Sequence, residues 1–265
     1  MATCSPMTYM HGNRTRLVLA LALLLPLRLS AQVSVESLQQ DELPLGRSGS
    51  FGGDLIIRTG NVDFVQIGLN ARLFQVTESV TTLMVGNGGF GLLGGSRFAS
   101  SSLIHLRQTF RSDWWLSPEW YGQMNYDRAQ LLNFRILTGA GGRISFISEA
   151  WGQFGAGSGL MVEHERLNLP ATASHPDQTT TIRWNNFLTL RVVPNENLVV
   201  TSTTYLQPSL GDFGDSRALE NLRIAASITE VMAITVSFDL RYDGKPPDGI
   251  TSLDTSLRTG VTFTY

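Results

Sequence analysis

Arginine carries almost all of the positive charge of this chain, since Lys245 is its single lysine. Arginines and one aspartate recur at alternate positions inside otherwise apolar stretches: Arg58, Arg72, Arg107, Arg135, Arg143, Arg183, Arg191, Arg223, Asp239, Arg241 and Arg258. Carboxylates recur in the same way: Asp54, Glu119, Asp127, Glu163, Asp239 and Asp254. Guanidinium groups that line a pore favour anions, whereas those beside carboxylates form forked ion pairs. The pattern predicts a polar interior that is either an anion path or is filled by ion pairs, and we prefer the second interpretation.

Histidines are the other residues that could do chemistry. Nucleophilic catalysis needs a serine or threonine beside a histidine that a third group orients. Apart from His11, the histidines are His105, His164 and His175, and none lies in a recognisable motif around a nucleophile. We therefore predict a non-enzymatic protein without a catalytic residue, and keep a barrel-embedded hydrolase as an alternative.

Metal and cofactor sites have little support in the sequence. The only cysteine, Cys4, lies in a predicted leader, which excludes cysteine-based metal and redox sites from the mature chain. The segment 86–91 fits the dinucleotide-binding pattern by letter, but residues 100–110 alternate as a strand where that motif needs a helix. Four acids that we predict to be external could bind a divalent ion or bridge lipopolysaccharide, or serve turn geometry: Asp212, Asp215, Asp243 and Asp248. We predict no cofactor and no metal, and a net charge of −2 gives no reason to expect nucleic-acid binding.

The first 31 residues read as a signal peptide. Arg14 and Arg16 precede the apolar run 17–29, and Ser30-Ala31-Gln32 forms a small-residue cleavage site, so we predict cleavage after Ala31. A membrane anchor is the alternative, but a spanning helix needs roughly 20 apolar residues and Pro26 and Arg28 interrupt this run. A short mature segment, 32–50, then precedes one domain over 51–265.

That domain divides into strand-like runs of alternating polarity separated by turn residues. We place twelve, near 51–59, 62–75, 80–92, 97–111, 115–127, 131–145, 149–164, 179–193, 197–207, 217–228, 231–243 and 253–265. Short and long connections alternate, as they do between the two ends of a bacterial barrel, with the tight turn Gly60-Asn61 as an exception. The pattern predicts an all-β transmembrane antiparallel barrel. A soluble periplasmic β-sandwich that binds a ligand is the alternative.

The alternation also predicts which side chains face lipid. Residues at one set of alternate positions are apolar, for example Ile67, Leu69, Leu160 and Trp184, and the arginines occupy the positions of the other set. Trp114, Trp115, Trp120 and Trp151 would form one interfacial girdle, with Trp184, Tyr126 and Tyr242 toward the opposite end. Glycines at 152, 155, 157 and 159 predict close approach or curvature in the wall.

The last run ends with apolar residues at alternate positions, Val261, Phe263 and Tyr265. In a soluble protein such a run is an edge strand, but after a secretion signal it is typical of the terminal strand by which outer-membrane barrels are recognised for assembly. We therefore predict that these three residues form a barrel-assembly signal.

Several ordered pieces carry a family resemblance: Gly60-Asn61, Arg135 followed by Gly139-Ala-Gly141-Gly142, Pro208-Ser-Leu210 with Asp212, and Tyr242-Asp243-Gly-Lys-Pro246-Pro247 leading to Asp254-Thr255. In these pieces the chain resembles the domain of unknown function 481 family, described as salt-induced outer-membrane proteins. The resemblance implies a barrel in the outer membrane and leaves molecular activity open.

These inferences together predict a protein of the bacterial cell outer membrane with an envelope role that is structural, stress-related or that of a small-solute, anion-preferring channel. The expected partners are outer-membrane lipid, lipopolysaccharide and, through the last strand, the barrel-assembly machinery.

Overall fold

The computed structural model describes residues 45–59, 63–112 and 114–264. Over these residues the chain forms a closed antiparallel barrel of twelve strands, in agreement with the sequence prediction. The strands are β1 (Gly46–Arg58), β2 (Phe64–Val76), β3 (Val80–Leu93), β4 (Ser96–Phe110), β5 (Ser117–Asp127), β6 (Leu132–Glu149), β7 (Gly152–Leu167), β8 (Gln178–Asn195), β9 (Leu198–Pro208), β10 (Ser216–Ser227), β11 (Met232–Asp243) and β12 (Leu253–Thr264). A 3-10 turn, Arg128–Gln130, connects β5 to β6.

Each strand pairs with its neighbours in sequence, and β1 closes the barrel against β12. The closing register places Phe51 opposite Phe263 and Gly53 opposite Val261. The rings of Phe51 and Phe263 stack on the outer face with centroids 5.2 Å apart. The apolar face predicted for the last strand therefore points outward along this seam, while Tyr265 lies outside the described residues.

The first strand begins earlier than predicted. We placed its start at 51, after a mature segment 32–50, but β1 starts at Gly46. The reason is that β2 continues to Val76, so the last residues of β2 supply ladder partners for Gly46 through Ser50. The predicted signal peptide, residues 32–44 and the Gly60-Asn61 turn lie outside the described residues.

The two ends of the barrel differ in their connections. We call the end where β1 begins and β12 finishes the terminal end, and the opposite one the loop end. The terminal end has the connections 77–79, 111–116, 150–151, 196–197 and 228–231, whereas the loop end has the long segments 168–177, 209–215 and 244–252. The two-residue turn Gly94-Gly95 is an exception at the loop end, where both glycines adopt the positive φ that this tight hairpin requires.

The wall is apolar outside and polar inside. Exposed side chains such as Leu69 and Ile104 point outward, whereas the interior holds buried polar and charged groups including Gln66, Arg107 and Glu163. Small apolar clusters also lie inside, for example Leu83, Val85 and Leu103, and Phe187, Tyr205 and Leu219. No helix in the described ranges is long and apolar enough to cross a membrane.

Candidate functional site in the barrel lumen

A cluster of buried ion pairs lies in the lumen toward the loop end. Glu163 and Glu165 occupy alternate positions of β7, so both point inward. Arg135 of the adjacent β6 approaches both carboxylates, with Nη2 2.6 Å from Glu165 Oε2 and Nε 3.4 Å from Glu163 Oε2. All three side chains are at most 6% exposed. Ions so removed from water are stable only where charge and hydrogen bonds compensate them, as they do here.

Arg217 of β10 also reaches the same two glutamates. Its Nη1 lies 2.5 Å from Glu163 Oε1 and its Nη2 3.2 Å from Glu165 Oε2, while Nε donates to Asp243 Oδ2 at 3.0 Å. Because β8 and β9 separate β10 from β7 in the wall, these contacts join strands that share no ladder.

Arg183 of β8 completes the cluster. Its Nε donates to Glu163 Oε1 at 3.2 Å and its Nη2 to Asp215 Oδ1 at 2.9 Å. We call Arg135, Glu163, Glu165, Arg183, Arg217 and Asp243 the loop-end ion-pair cluster. It ties β6, β7, β8, β10 and β11 together across the interior.

A second layer lies closer to the terminal end. Glu119 Oε2 is 3.6 Å from Arg107 Nη1 and 3.9 Å from Arg143 Nε. The guanidinium carbon of Arg107 stands 5.1 Å from the Tyr121 ring centroid and 5.8 Å from that of Phe187, and the guanidinium carbon of Arg143 lies 5.2 Å from Phe187. Contacts of this kind add cation–π attraction to the ion pairs. We call these five residues the aromatic–arginine layer.

Hydrogen bonds link Tyr121 of this layer to polar side chains of β8 and β9. Asn185 Nδ2 donates to the Tyr121 hydroxyl at 2.8 Å, and Gln207 Nε2 donates to Asn185 Oδ1 at 2.7 Å. The chain of bonds therefore runs from β5 through β8 to β9, between the aromatic–arginine layer and the loop-end ion-pair cluster.

The other side of the lumen, near the terminal end, keeps an open space. A cavity of about 60 Å³ is lined by side chains of β1, β2, β3 and β10 to β12, among them Asp54, Arg72, Asn87, Arg223, Arg258 and Thr262. Arg258 Nη2 donates to Asp239 Oδ2 at 2.6 Å, and Arg223 Nη2 donates to Thr262 Oγ1 at 2.8 Å. We call this cavity the terminal-end pocket.

The predicted lumen residues thus fall into separate groups. Arg135 and Arg183 join the loop-end ion-pair cluster, Arg107 and Arg143 the aromatic–arginine layer, and the terminal-end pocket is lined by Arg72, Arg223 and Arg258 with Asp239 behind it. Arg241 is buried on β11 opposite Asp254, and Arg191 is half-buried on β8 toward the terminal end. The side chain of Arg58 is outside the described part of the molecule.

Sequence reasoning missed two members of the cluster and misplaced a third. Arg217 and Glu165 were not among the residues assigned to the interior. Asp243, predicted as an external acid, is buried against Arg217. The sequence did contain a signal for these residues. Arg217 and Arg223 are an even number of positions apart on β10 and therefore point to the same face, as do Glu163 and Glu165 on β7.

The histidines make contacts unlike those of a hydrolytic triad. His105 Nδ1 is 3.1 Å from Gln123 Oε1, and its ring lies 6.0 Å from that of Tyr121. His164 faces outward with its Nδ1 2.8 Å from Thr180 Oγ1, and His175 Nδ1 lies 2.8 Å from the Pro176 carbonyl oxygen. Among the described residues no group of three or more His, Cys, Asp or Glu side chains is arranged to hold a metal ion.

Two of the remaining external acids join loops. Asp212 pairs with Lys245, and Asp248 Oδ2 accepts from the backbone N–H of His175 at 2.9 Å. The hydrogen bond from Lys245 lowers the pKa of Asp212 and raises that of Lys245, and the bonds from His175 and Ser174 lower the pKa of Asp248. Both carboxylates therefore hold loop-end segments to one another.

A closed barrel with an apolar outer face and a charged interior defines a barrel of the outer-membrane type. The chain belongs to the family described as "Protein of unknown function, DUF481", whose model matches residues 56–265. Among solved structures, the NanC porin is similar in fold, with 11% sequence identity and a TM-score of 0.50 over 82% of this chain and 98% of that chain. The translocator domain of autotransporter NalP from Neisseria meningitidis matches with 14% identity and a TM-score of 0.42 over 85% of this chain and 91% of that one. Comparison with curated proteins gives no significant match.

Proposed function

We propose that this protein is a non-enzymatic barrel of the bacterial outer membrane whose lumen is held closed, and that it serves a structural or stress-related role in the envelope. The observation that carries the proposal is that Arg217 of β10 extends inside the lumen, past β8 and β9, to Glu163 and Glu165 of β7. A wide pore would need these side chains to separate.

The outer face supports the membrane location. Leu69 and Ile104, each 65% exposed, would be costly in water as part of a continuous apolar belt but are suited to lipid. Trp114, Trp115 and Trp151 project from connections at the terminal end, where an interfacial girdle would lie. Lipid and lipopolysaccharide are the partners that this surface fits.

The last strand supports a proposed route of assembly. Val261 and Phe263 present an outward apolar face at the seam where β12 closes on β1. We assign the barrel-assembly machinery as the partner that recognises this face before the barrel closes.

Closure is supported by the energetics of the interior. Breaking a buried ion pair by removing one partner costs about 3–5 kcal/mol, and Arg217 takes part in several such contacts at once. The aromatic–arginine layer occupies a second level of the same lumen. Thermal motion of single side chains would therefore open the path only rarely.

An anion-preferring path for small solutes is the second candidate. It is favoured by the excess of arginine toward the terminal end, where Arg72, Arg223 and Arg258 line one cavity together with a single carboxylate, that of Asp54. Cationic linings of this kind raise the local concentration of anions.

Planar-bilayer recording separates these candidates. We expect the refolded wild-type protein to show heat-modifiable migration on a gel and no steady current. A steady, anion-selective current would replace the closed-barrel proposal with the channel. Lipid or peptide turnover that is lost on changing His105 or His164 would identify an enzyme, and a chain that stays soluble and monomeric without detergent would contradict the membrane location.

A further inference from the structure

We propose that the terminal-end pocket is a binding site for one small oxyanion of the phosphate or sulfate class. The pocket is built by strands from both sides of the barrel seam: Arg72 comes from β2, Asn87 from β3, Arg223 from β10 and Arg258 from β12. The inference goes beyond the proposed function, because binding at this site does not depend on whether the barrel conducts.

The charges around the pocket are unbalanced. Arg258 is paired with Asp239, whose carboxylate also accepts from Asn221 and Ser256. In contrast, neither Arg72 nor Arg223 has a carboxylate within ion-pair distance among the described residues. Asp54 lines the same pocket and is the one carboxylate there beside the three guanidinium groups. It forms no ion pair with Arg72 or Arg223. Two cations therefore face a confined space without a neutralising partner, which an anion would supply.

Donor groups at the pocket are also unused. Arg72 Nε, Asn87 Nδ2 and Arg258 Nε are buried atoms that have no hydrogen-bond partner among the described residues. A buried donor left unpaired loses its hydration without compensation, and the penalty is larger for a charged group. These three donors belong to side chains of the same cavity, so one acceptor with several oxygens could be shared among them.

The geometry favours an oxyanion over a halide. Arginine presents paired donors in a planar fork that matches two oxygens of one phosphate or sulfate, whereas chloride offers a single centre. A volume of about 60 Å³ is several times the space that one water needs, so a small anionic group can enter. Gly53 and Gly260 form part of the wall and add no side chain to that space.

The test uses the full protein refolded in a nonionic detergent, so that the only oxyanion present is the one added. Its melting temperature is followed while sodium sulfate or inorganic phosphate replaces sodium chloride at constant ionic strength. We expect a saturable rise of roughly several degrees, since a ligand that binds only the folded state stabilises it by mass action. Equilibrium dialysis with labelled sulfate should give one site per chain.

Variants assign the effect to the pocket. Arg72→Gln and Arg223→Gln should each remove the sulfate-dependent rise, whereas Arg166→Gln, which changes an exposed arginine of β7, should retain it. An equal rise in all variants, or no rise in the wild type, would overturn the proposal.

A further variant covers the case in which an arginine variant does not fold. Asn87→Asp places a carboxylate at the pocket and should fold, melt higher than the wild type in chloride and show no response to sulfate. If Asn87→Asp still binds one sulfate with wild-type affinity, the site lies elsewhere and the proposal fails.

Discussion

At the scale of single residues, Glu163 is the carboxylate on which three buried arginines converge. Its carboxylate lies within 3.4 Å of nitrogen atoms from Arg135, Arg183 and Arg217. Each arginine comes from a different strand, and the four side chains are almost completely buried. All three arginines share this negative charge in addition to their other carboxylate partners, so its loss should affect them all.

We accordingly expect Glu163→Gln to destabilise the folded barrel strongly. The amide has the shape of the carboxylate but no charge, which leaves buried guanidinium groups without full compensation. The expected loss is about 3–5 kcal/mol in the free energy of unfolding. Urea unfolding in lipid vesicles, followed by tryptophan fluorescence, measures it.

Glu78→Gln is the matched control, because Glu78 is an exposed residue of the connection 77–79. It should unfold within about 0.5 kcal/mol of the wild type. If the two variants unfold alike, the buried ion pairs do not contribute to stability as argued here.

At the scale of elements, β6 and β7 pair where glycine faces glycine, with no room for a side chain between them. Gly141 and Gly159 are ladder partners, and a Cβ on Gly159 would lie 2.4 Å from the Ala140 carbonyl oxygen and 2.7 Å from Gly141 Cα. Gly157 plays a different part, since a Cβ there would lie 2.0 Å from Cζ of Phe187. The glycines of β7 therefore admit the neighbouring backbone and the central ring of the aromatic–arginine layer.

We expect Gly159→Ala to cost about 1–3 kcal/mol in the free energy of unfolding, because backbone atoms must move apart to admit the methyl group. Gly88→Ala on β3 is the control, since a Cβ at that position meets nothing within 4 Å. Equilibrium unfolding of both variants in vesicles gives the comparison. A Gly159→Ala barrel as stable as Gly88→Ala would show that the wall relaxes freely at this point.

The loop-end connections form a second element-scale feature. Asp248 in the segment 244–252 accepts from the backbone N–H of His175 and Ser174 and from the Ser174 hydroxyl, all in the segment 168–177. The lowered pKa of Asp248 means that this contact is fully present above its ordinary value of 3.8 and is lost as the pH falls below that value.

We expect Asp248→Asn to lower the hydrogen-exchange protection of the Ser174 and His175 amides at pH 7, and the wild type to lose the same protection on acidification below about pH 3.8. Protection factors remove the pH dependence of the intrinsic exchange rate. Asp177→Asn changes an exposed carboxylate of the same segment and should leave the protection unchanged. Protection that is equal in Asp248→Asn and wild type would exclude the carboxylate as the link.

At the scale of the whole molecule, the interior charges are segregated along the barrel axis. Carboxylates concentrate toward the loop end, with Glu163, Glu165 and Asp243 in one cluster. Arginines outnumber carboxylates toward the terminal end, where the terminal-end pocket and the aromatic–arginine layer lie. The loop-end ion-pair cluster thus balances three arginines with three carboxylates, whereas the aromatic–arginine layer holds two arginines and one carboxylate.

The loop-end ion-pair cluster and the aromatic–arginine layer lie at two successive levels of the lumen, which gives a specific expectation for conductance. Arg217→Ala alone or Phe187→Ala alone should leave the barrel without steady current, because the other level remains filled, whereas the double variant should conduct. Planar-bilayer recording tests this, with heat-modifiable migration as the check that each variant is folded. Current through either single variant would show that one level alone closes the lumen.

Much of the fold could be predicted because its cause is local. Alternation of apolar and polar residues along one strand fixes which side chains face lipid, so Ile67, Leu69 and Leu160 were assigned outward without reference to any partner. Of the predicted girdle of Trp114, Trp115, Trp120 and Trp151, three lie in connections at the terminal end, and Trp120 lies on β5 close to the same end. The start of β1 was misplaced because it is set by the length of β2, which is not a property of the first strand alone.

The sequence by itself determined a twelve-stranded barrel of a known family. It also determined which alternate residues of each strand face outward and that the interior is rich in arginine. Only the tertiary structure decided which arginine meets which acid. Arg217 and Glu163 are 54 residues apart and belong to strands that do not pair, so their contact depends on barrel closure and on the stagger of all strands between them. The alternation of residues along a strand predicts that both side chains point into the lumen. It does not predict their positions along the barrel axis or the side chains that they contact.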